Sequence, residues 1–131
     1  MNRRTVRILL VAYLLCVGYL CFASFKAIPS APIFILGIQA DRIVHFLMFV
    51  PFPFLAFFSF EDRSMTFWQV LLILILIFSA GCLVAGATEY IQGLLPHRVK
   101  DIEDFKADTL GLILGSLITL LAIIRIQGKR L

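Results

Sequence analysis

Four long stretches nearly free of charge divide this chain, and they leave it few ways to fold. Residues 8–25 hold no charged side chain, and residues 43–60 hold no ionisable group except His45. Residues 67–91 hold only Glu89, and residues 108–126 only Asp108 and Arg125. About 20 apolar residues in a helix cross the roughly 30 Å hydrocarbon core of a bilayer. Lipid offers the backbone no hydrogen-bond partners, so such runs are helices whose amide groups bond within the segment. The expectation is an all-α fold, an integral membrane bundle of four transmembrane helices in one domain spanning residues 1–131. Composition agrees. The chain is 61% apolar and 15% charged, against about 45–50% and about 25% in soluble domains. The net charge of +4 is spread over the termini and the connections, which suits orientation in a membrane and not nucleic-acid binding.

Arg3, Arg4 and Arg7 precede the first run. A basic head before an apolar stretch also fits a signal peptide, but signal cores run to about 7–15 residues. The longer run here reads as a retained span. Pro29, Pro32 and Gly37 break the connection that follows. The apolar residues 33–38 are too short to cross; they are expected at the interface or dipping into the bundle. Pro51 and Pro53 should kink the second span, with neighbours satisfying the freed carbonyls. Trp68 suits an interfacial anchor. Gly93 and Pro96 are stop signals for the third helix. Asp101 is the expected N-cap of the fourth, with Glu103 and Asp104 in its first turn, where the helix dipole favours negative charge. Cys16, Cys21 and Cys82 lie within apolar runs with no metal-type spacing, and read as small apolar residues.

With four spans both ends of the chain fall on one side. That side carries seven basic residues (Arg3, Arg4, Arg7, Arg63, Arg125, Lys129, Arg130) against five on the other. The positive-inside rule then places both termini in the cytoplasm. Acidic residues concentrate opposite, at Asp41, Glu89, Asp101, Glu103, Asp104 and Asp108.

Helical spacing shows which of these groups meet. Asp41 and His45 are four apart and share a face, as do Glu89 and Gln92, three apart. Asp104, Asp108, Gly111 and Gly115 fall within about 60° at 100° per residue. Gly111 with Gly115, and Gly81 with Ala85, make small-xxx-small patterns that let membrane helices approach closely. They are expected to pack the third and fourth spans together. The reading is an outward-facing polar cup lined by Asp41, His45, Glu89, Gln92, Arg98, Asp104 and Asp108. Plainer readings stand beside it. Glu89 and Arg98 could form a structural ion pair, Asp101 and Glu103 merely cap a helix, and His97 sit exposed in a loop. His45 could bond Asp41 or a carbonyl. The phenylalanines of the second span read as packing or lipid-facing. No GxSxG, HExxH or phosphate-binding glycine loop is present, so catalytic residues stay unassigned and no metal or cofactor is assigned. Carboxylates with a histidine could hold a metal and paired carboxylates could do acid–base hydrolysis, but no two candidate ligands have a diagnostic spacing.

These residues resemble the VanZ-like family of bacterial membrane proteins. The likeness runs from Asp41-Arg42-x-x-His45, through Glu89-x-x-Gln92, Pro96 and Arg98, to Asp104-x-x-x-Asp108-x-x-Gly111-x-x-x-Gly115. The chain departs from the family pattern at Arg42, where Lys is usual, at Phe49, often Tyr, and at Asp108, typically Asn. The resemblance implies a multi-pass protein of the bacterial cytoplasmic membrane. Its founding member is associated with low-level resistance to the glycopeptide teicoplanin, and a link to glycopeptide response is an implication of the resemblance alone. Membrane lipids are the expected partners, with a lipid headgroup or lipid-linked envelope ligand in the cup, and self-association is open. Two other classes remain: a membrane-embedded enzyme acting on a lipid-linked substrate through His45 or Glu89, and a structural or assembly protein whose polar cluster only closes the bundle.

Overall fold

The computed structural model describes residues 2–23, 33–60, 65–96 and 100–128. Helix α1 is Arg3–Phe22, α2 is Ala40–Phe49, α3 is Pro51–Phe60, α4 is Phe67–Gln92 and α5 is Ile102–Gly128. Taken together, α2 and α3 form one apolar span, so four helical segments have the length and composition to cross a membrane.

Helices α1, α4 and α5 start where a side chain closes the first turn. Asn2 caps α1, its Oδ1 accepting from the Arg4 amide at 3.1 Å. The helix therefore begins five residues ahead of the expected apolar boundary at residue 8. Thr66 opens α4 with a reciprocal capping box: the Gln69 amide donates to Thr66 Oγ1, and the Thr66 amide to Gln69 Oε1 at 2.8 Å. The neighbouring Trp68 is 75% exposed at this end, where an interfacial anchor is expected. Asp101 caps α5, with Oδ1 accepting from the Glu103 amide at 2.9 Å. Gly93 ends α4 with right-handed dihedrals, so left-handed freedom is not what it contributes. A Cβ there would lie 3.0 Å from the Lys100 Cβ, so the missing side chain lets the returning strand of the loop pass close.

The proline pair splits the second span at Val50. Neither Pro51 nor Pro53 can donate a backbone hydrogen bond. The Tyr13 hydroxyl of α1 reaches the Met48 carbonyl at this break, donating at 2.6 Å. Residues 33–38 fold outward and not into the bundle. Phe34–Ile35 and Ile38–Gln39 pair as a short antiparallel hairpin, with Leu36 and Gly37 both at positive φ. That is the turn geometry that matches strand twist in two-residue hairpins. Leu36 is 98% exposed at its tip.

Polar contacts between helix ends establish how the spans alternate. Arg7 Nε donates to the Ser59 carbonyl, and Gln127 Nε2 to that of Met65. At the opposite end Gln92 Nε2 donates to the Cys21 carbonyl, and Arg42 meets Asp101. The chain termini therefore share one end of the bundle. Helix α5 packs against α2, α3 and α4, and α1 against α3. The core holds Phe49, Phe52, Ala56, Ala85 and Leu112 near the second end, and Phe57, Val70, Leu74 and Ile123 nearer the first.

The two small-residue patterns pack against different partners. A Cβ on Gly81 would strike Leu112 of α5, so the α4–α5 contact is as expected. Gly111 and Gly115 face elsewhere: a Cβ on either would collide with a carbonyl of the broken span, that of Phe46 or that of Val50. The stripe expected to join α5 to α4 joins it to α2 instead. The reason is geometric. Leu112 fills the α4 side of α5, and the glycines lie on the adjacent face, in line with Asp104 and Asp108.

Candidate functional site

At the end away from the termini, α2, α4 and α5 bring ionisable groups together. His45 stands one turn into α2, below Asp41. Asp108 lies six residues beyond the start of α5, about 9 Å along the axis at 1.5 Å per residue. Close approach of the glycine stripe to the α2 backbone leaves these side chains facing one another. His45 Nδ1 and Asp108 Oδ1 are 2.9 Å apart, with His45 3% exposed and Asp108 fully buried. On the other ring edge, His45 Nε2 lies 4.0 Å from Asp104 Oδ2. The imidazole is thus held between two carboxylates of α5, not paired with Asp41 or a backbone carbonyl.

Glu89 enters from α4 and is 3% exposed. Its Oε2 accepts from the Asp101 amide at 3.2 Å, which ties the last turn of α4 to the first of α5. Among the described residues its Oε1 is buried without a hydrogen-bond partner, and so is Asp108 Oδ2. His45, Glu89 and Asp108 each offer one donor atom within 4.8 Å of the others, as do Asp41, His45 and Asp104. Asp41 is exposed at the outer edge.

The expected lining residues divide into three groups. Asp41, His45, Glu89, Asp104 and Asp108 converge. Gln92 is buried beside α1, its amide spent on the Cys21 carbonyl, so it fastens α4 to α1. Arg98, and with it the Glu89–Arg98 pair and His97, lies outside the described residues. The small residues Gly81, Ala85, Gly111 and Gly115 are all buried in helix contacts.

A second feature escaped the sequence reading. On the outer side of the α2–α5 contact lies a groove of about 450 Å³, lined by Ile38, Arg42, Ile43, Phe46, Glu103, Lys106, Ala107 and Leu110. Five of these residues are apolar, and Arg42, Glu103 and Lys106 are charged. Arg42 is held at its tip by Asp101, 3.5 Å away, while its Nε is buried with no partner among the described residues. Lys106 pairs with Glu103 on the exposed first turns of α5. The signal was available in the spacing: 42, 43 and 46 share one side of α2, and 103, 106, 107 and 110 one side of α5.

The sequence model of a family described as VanZ/LLP1 matches residues 9–124, a wider span than the motifs alone cover. No curated protein and no solved structure matches it.

Proposed function

The chain belongs to the VanZ/LLP1 family, and from that premise we propose that it binds the phosphate-bearing headgroup of a membrane amphiphile at the polar end of its bundle. The observation that carries this reading is the groove between α2 and α5. Ile38, Ile43, Phe46 and Leu110 provide an apolar bed for an acyl or prenyl chain. Arg42 and Lys106 stand at the same groove, and the buried Nε of Arg42 is a donor with no acceptor among the described residues. An unmet buried donor is costly, and a phosphate oxygen satisfies it with a charge-assisted hydrogen bond. The site faces the outer side of the bacterial cytoplasmic membrane if both termini are cytoplasmic, the arrangement favoured by the basic residues at the chain ends. A response to glycopeptides is the remotest part of this reading and rests on family resemblance alone.

Lipid extraction and native mass spectrometry of the protein purified in mild detergent test the proposal. A phosphate-bearing amphiphile should co-purify, and Arg42→Gln should lose most of it. Arg125→Gln, at the opposite end of the bundle, serves as the control and should retain it. Identical lipid profiles in wild type and Arg42→Gln would sink the reading.

A second reading draws on the hydrogen bond between His45 and Asp108, which orients the imidazole as a general base requires. It makes the protein a membrane-embedded enzyme acting on a lipid-linked substrate. Turnover of lipid phosphates that vanishes in His45→Gln supports it, and turnover that persists removes His45 from that role.

A further inference from the structure

We propose that His45, Glu89 and Asp108 form a binding site for one divalent transition-series cation, of the zinc or manganese type. None of these residues lines the groove between α2 and α5, so the inference stands apart from the headgroup reading. The three side chains come from three different helices, and all are buried. Sequence spacing could not reveal such a set, because no two of its members share a helix.

The unpartnered oxygens point to a missing positive charge. Glu89 is 3% exposed and Asp108 fully buried, yet among the described residues nothing donates a hydrogen bond to Glu89 Oε1 or Asp108 Oδ2. An uncompensated carboxylate at such a site is costly, and two beside one another more so. No described Lys or Arg makes a salt bridge to either. In the form that would ligate a metal, two ionised carboxylates and one neutral imidazole carry two negative charges, which one divalent ion balances.

The geometry suits first-row metals. Two ligand atoms each about 2.1 Å from a metal, at an angle near 90°, are about 3.0 Å apart. His45 Nδ1 and Asp108 Oδ1 are separated by 2.9 Å. Glu89 offers an oxygen within 4.8 Å of both, close enough for a rotamer adjustment to complete the set. One imidazole with two carboxylates favours zinc, manganese or iron over calcium and magnesium, which prefer all-oxygen shells. When Nδ1 holds the metal, the Nε2 proton of His45 points toward Asp104 Oδ2, 4.0 Å away. That is the outer carboxylate that commonly orients a ligating histidine. Asp104 is thus a positioning residue.

The test is metal binding by the full chain in detergent or nanodiscs, stripped with chelator and then dialysed against zinc or manganese chloride. Elemental analysis after gel filtration should find about one ion per chain, and the melting temperature should rise with metal and fall with chelator. His45→Gln and Glu89→Gln should each abolish the bound ion and the metal-dependent shift, while Arg125→Gln, at the opposite end of the bundle, keeps both. Asp104→Asn should weaken binding roughly 10- to 100-fold, the usual loss for an outer-shell partner. Cobalt substitution adds a readout that a purely structural cluster would lack, a visible d–d band lost in Glu89→Gln. Wild-type protein that retains neither ion and shows no thermal shift overturns the proposal. So does a Glu89→Gln protein that binds as wild type does. If the variants fail to fold, the wild-type stoichiometry and cobalt spectrum decide the matter alone.

Discussion

His45 and Asp108 are 63 residues apart in sequence and 2.9 Å apart in space, and their contact ties α2 to α5 at the polar end of the bundle. Both side chains are shut away from solvent. Removing one partner leaves the other buried and unmatched, at a cost of about 1–3 kcal/mol. Asp108→Ala should therefore lower stability by that amount in a detergent unfolding titration. Asp108→Asn keeps an oxygen that can accept from Nδ1 in the metal-free protein when that nitrogen carries the proton, and should cost less. Equal losses in the two variants would mean that the carboxylate charge, and not the hydrogen bond, is what matters at this position.

The glycine stripe below that pair makes the second prediction. Gly111 and Gly115 press against the carbonyls of Phe46 and Val50, and backbone cannot move aside as a side chain can. Close glycine contacts of this kind allow Cα–H···O interactions as well as tight packing. Gly111→Ala or Gly115→Ala should cost about 1–3 kcal/mol through overpacking, and the added separation of α2 from α5 should disturb the His45–Asp108 distance. Gly86→Ala is the control, because its Cβ would meet only the Phe105 ring at an ordinary 3.7 Å. Gly86→Ala should unfold at or above the wild-type denaturant concentration; parity among all three variants would refute the close-contact account.

The third prediction concerns the proline break. Tyr13 supplies from α1 a donor to the Met48 carbonyl at the point where the helix is interrupted. Interhelical hydrogen bonds in membranes average about 0.6 kcal/mol and reach about 1.7 kcal/mol. Tyr13→Phe keeps the ring and removes only the donor, so its cost should fall in that range. Hydrogen exchange in the 48–52 backbone should rise in the variant. Unchanged exchange there would show that the break is satisfied without Tyr13.

What could be read from the sequence follows the strength of the local signal. Four apolar runs specified the spans, because a bilayer admits only helices and closed barrels. Asp101 announced its capping role through residue type and position alone. Convergence of Asp41, His45, Asp104 and Asp108 followed from helical spacing once the spans were assumed antiparallel. The partner of each face did not follow. Which neighbour Gly111 and Gly115 meet depends on the rotation of α5 about its axis, and on Leu112 occupying the α4 side. Gln92 looked like a pocket residue because it shares a face with Glu89, but the end of α1 lay nearer. The hairpin at residues 34–39 was hidden because Leu36 adopts a φ of 52°, a conformation that side chains of its kind rarely take.

The last prediction concerns the side of the membrane on which these groups lie. Contacts at the two bundle ends place Asp41, Asp101 and the hairpin opposite Arg7, Met65 and Gln127. The relative arrangement is therefore independent of charge counts, and only its direction relies on the basic residues at the chain ends. In a background without Cys16, Cys21 and Cys82, a membrane-impermeant maleimide added to intact cells should label Leu36→Cys. Leu36 is 98% exposed at the hairpin tip, so its labelling needs no opening of the bundle. Thr66→Cys, at the N-cap of α4, should react only after the membrane is permeabilised. The reverse pattern would turn the bundle over and place the acidic cluster in the cytoplasm. Labelling of both positions in intact cells would break the alternation of spans itself, and with it the meeting of α2, α4 and α5 at one end.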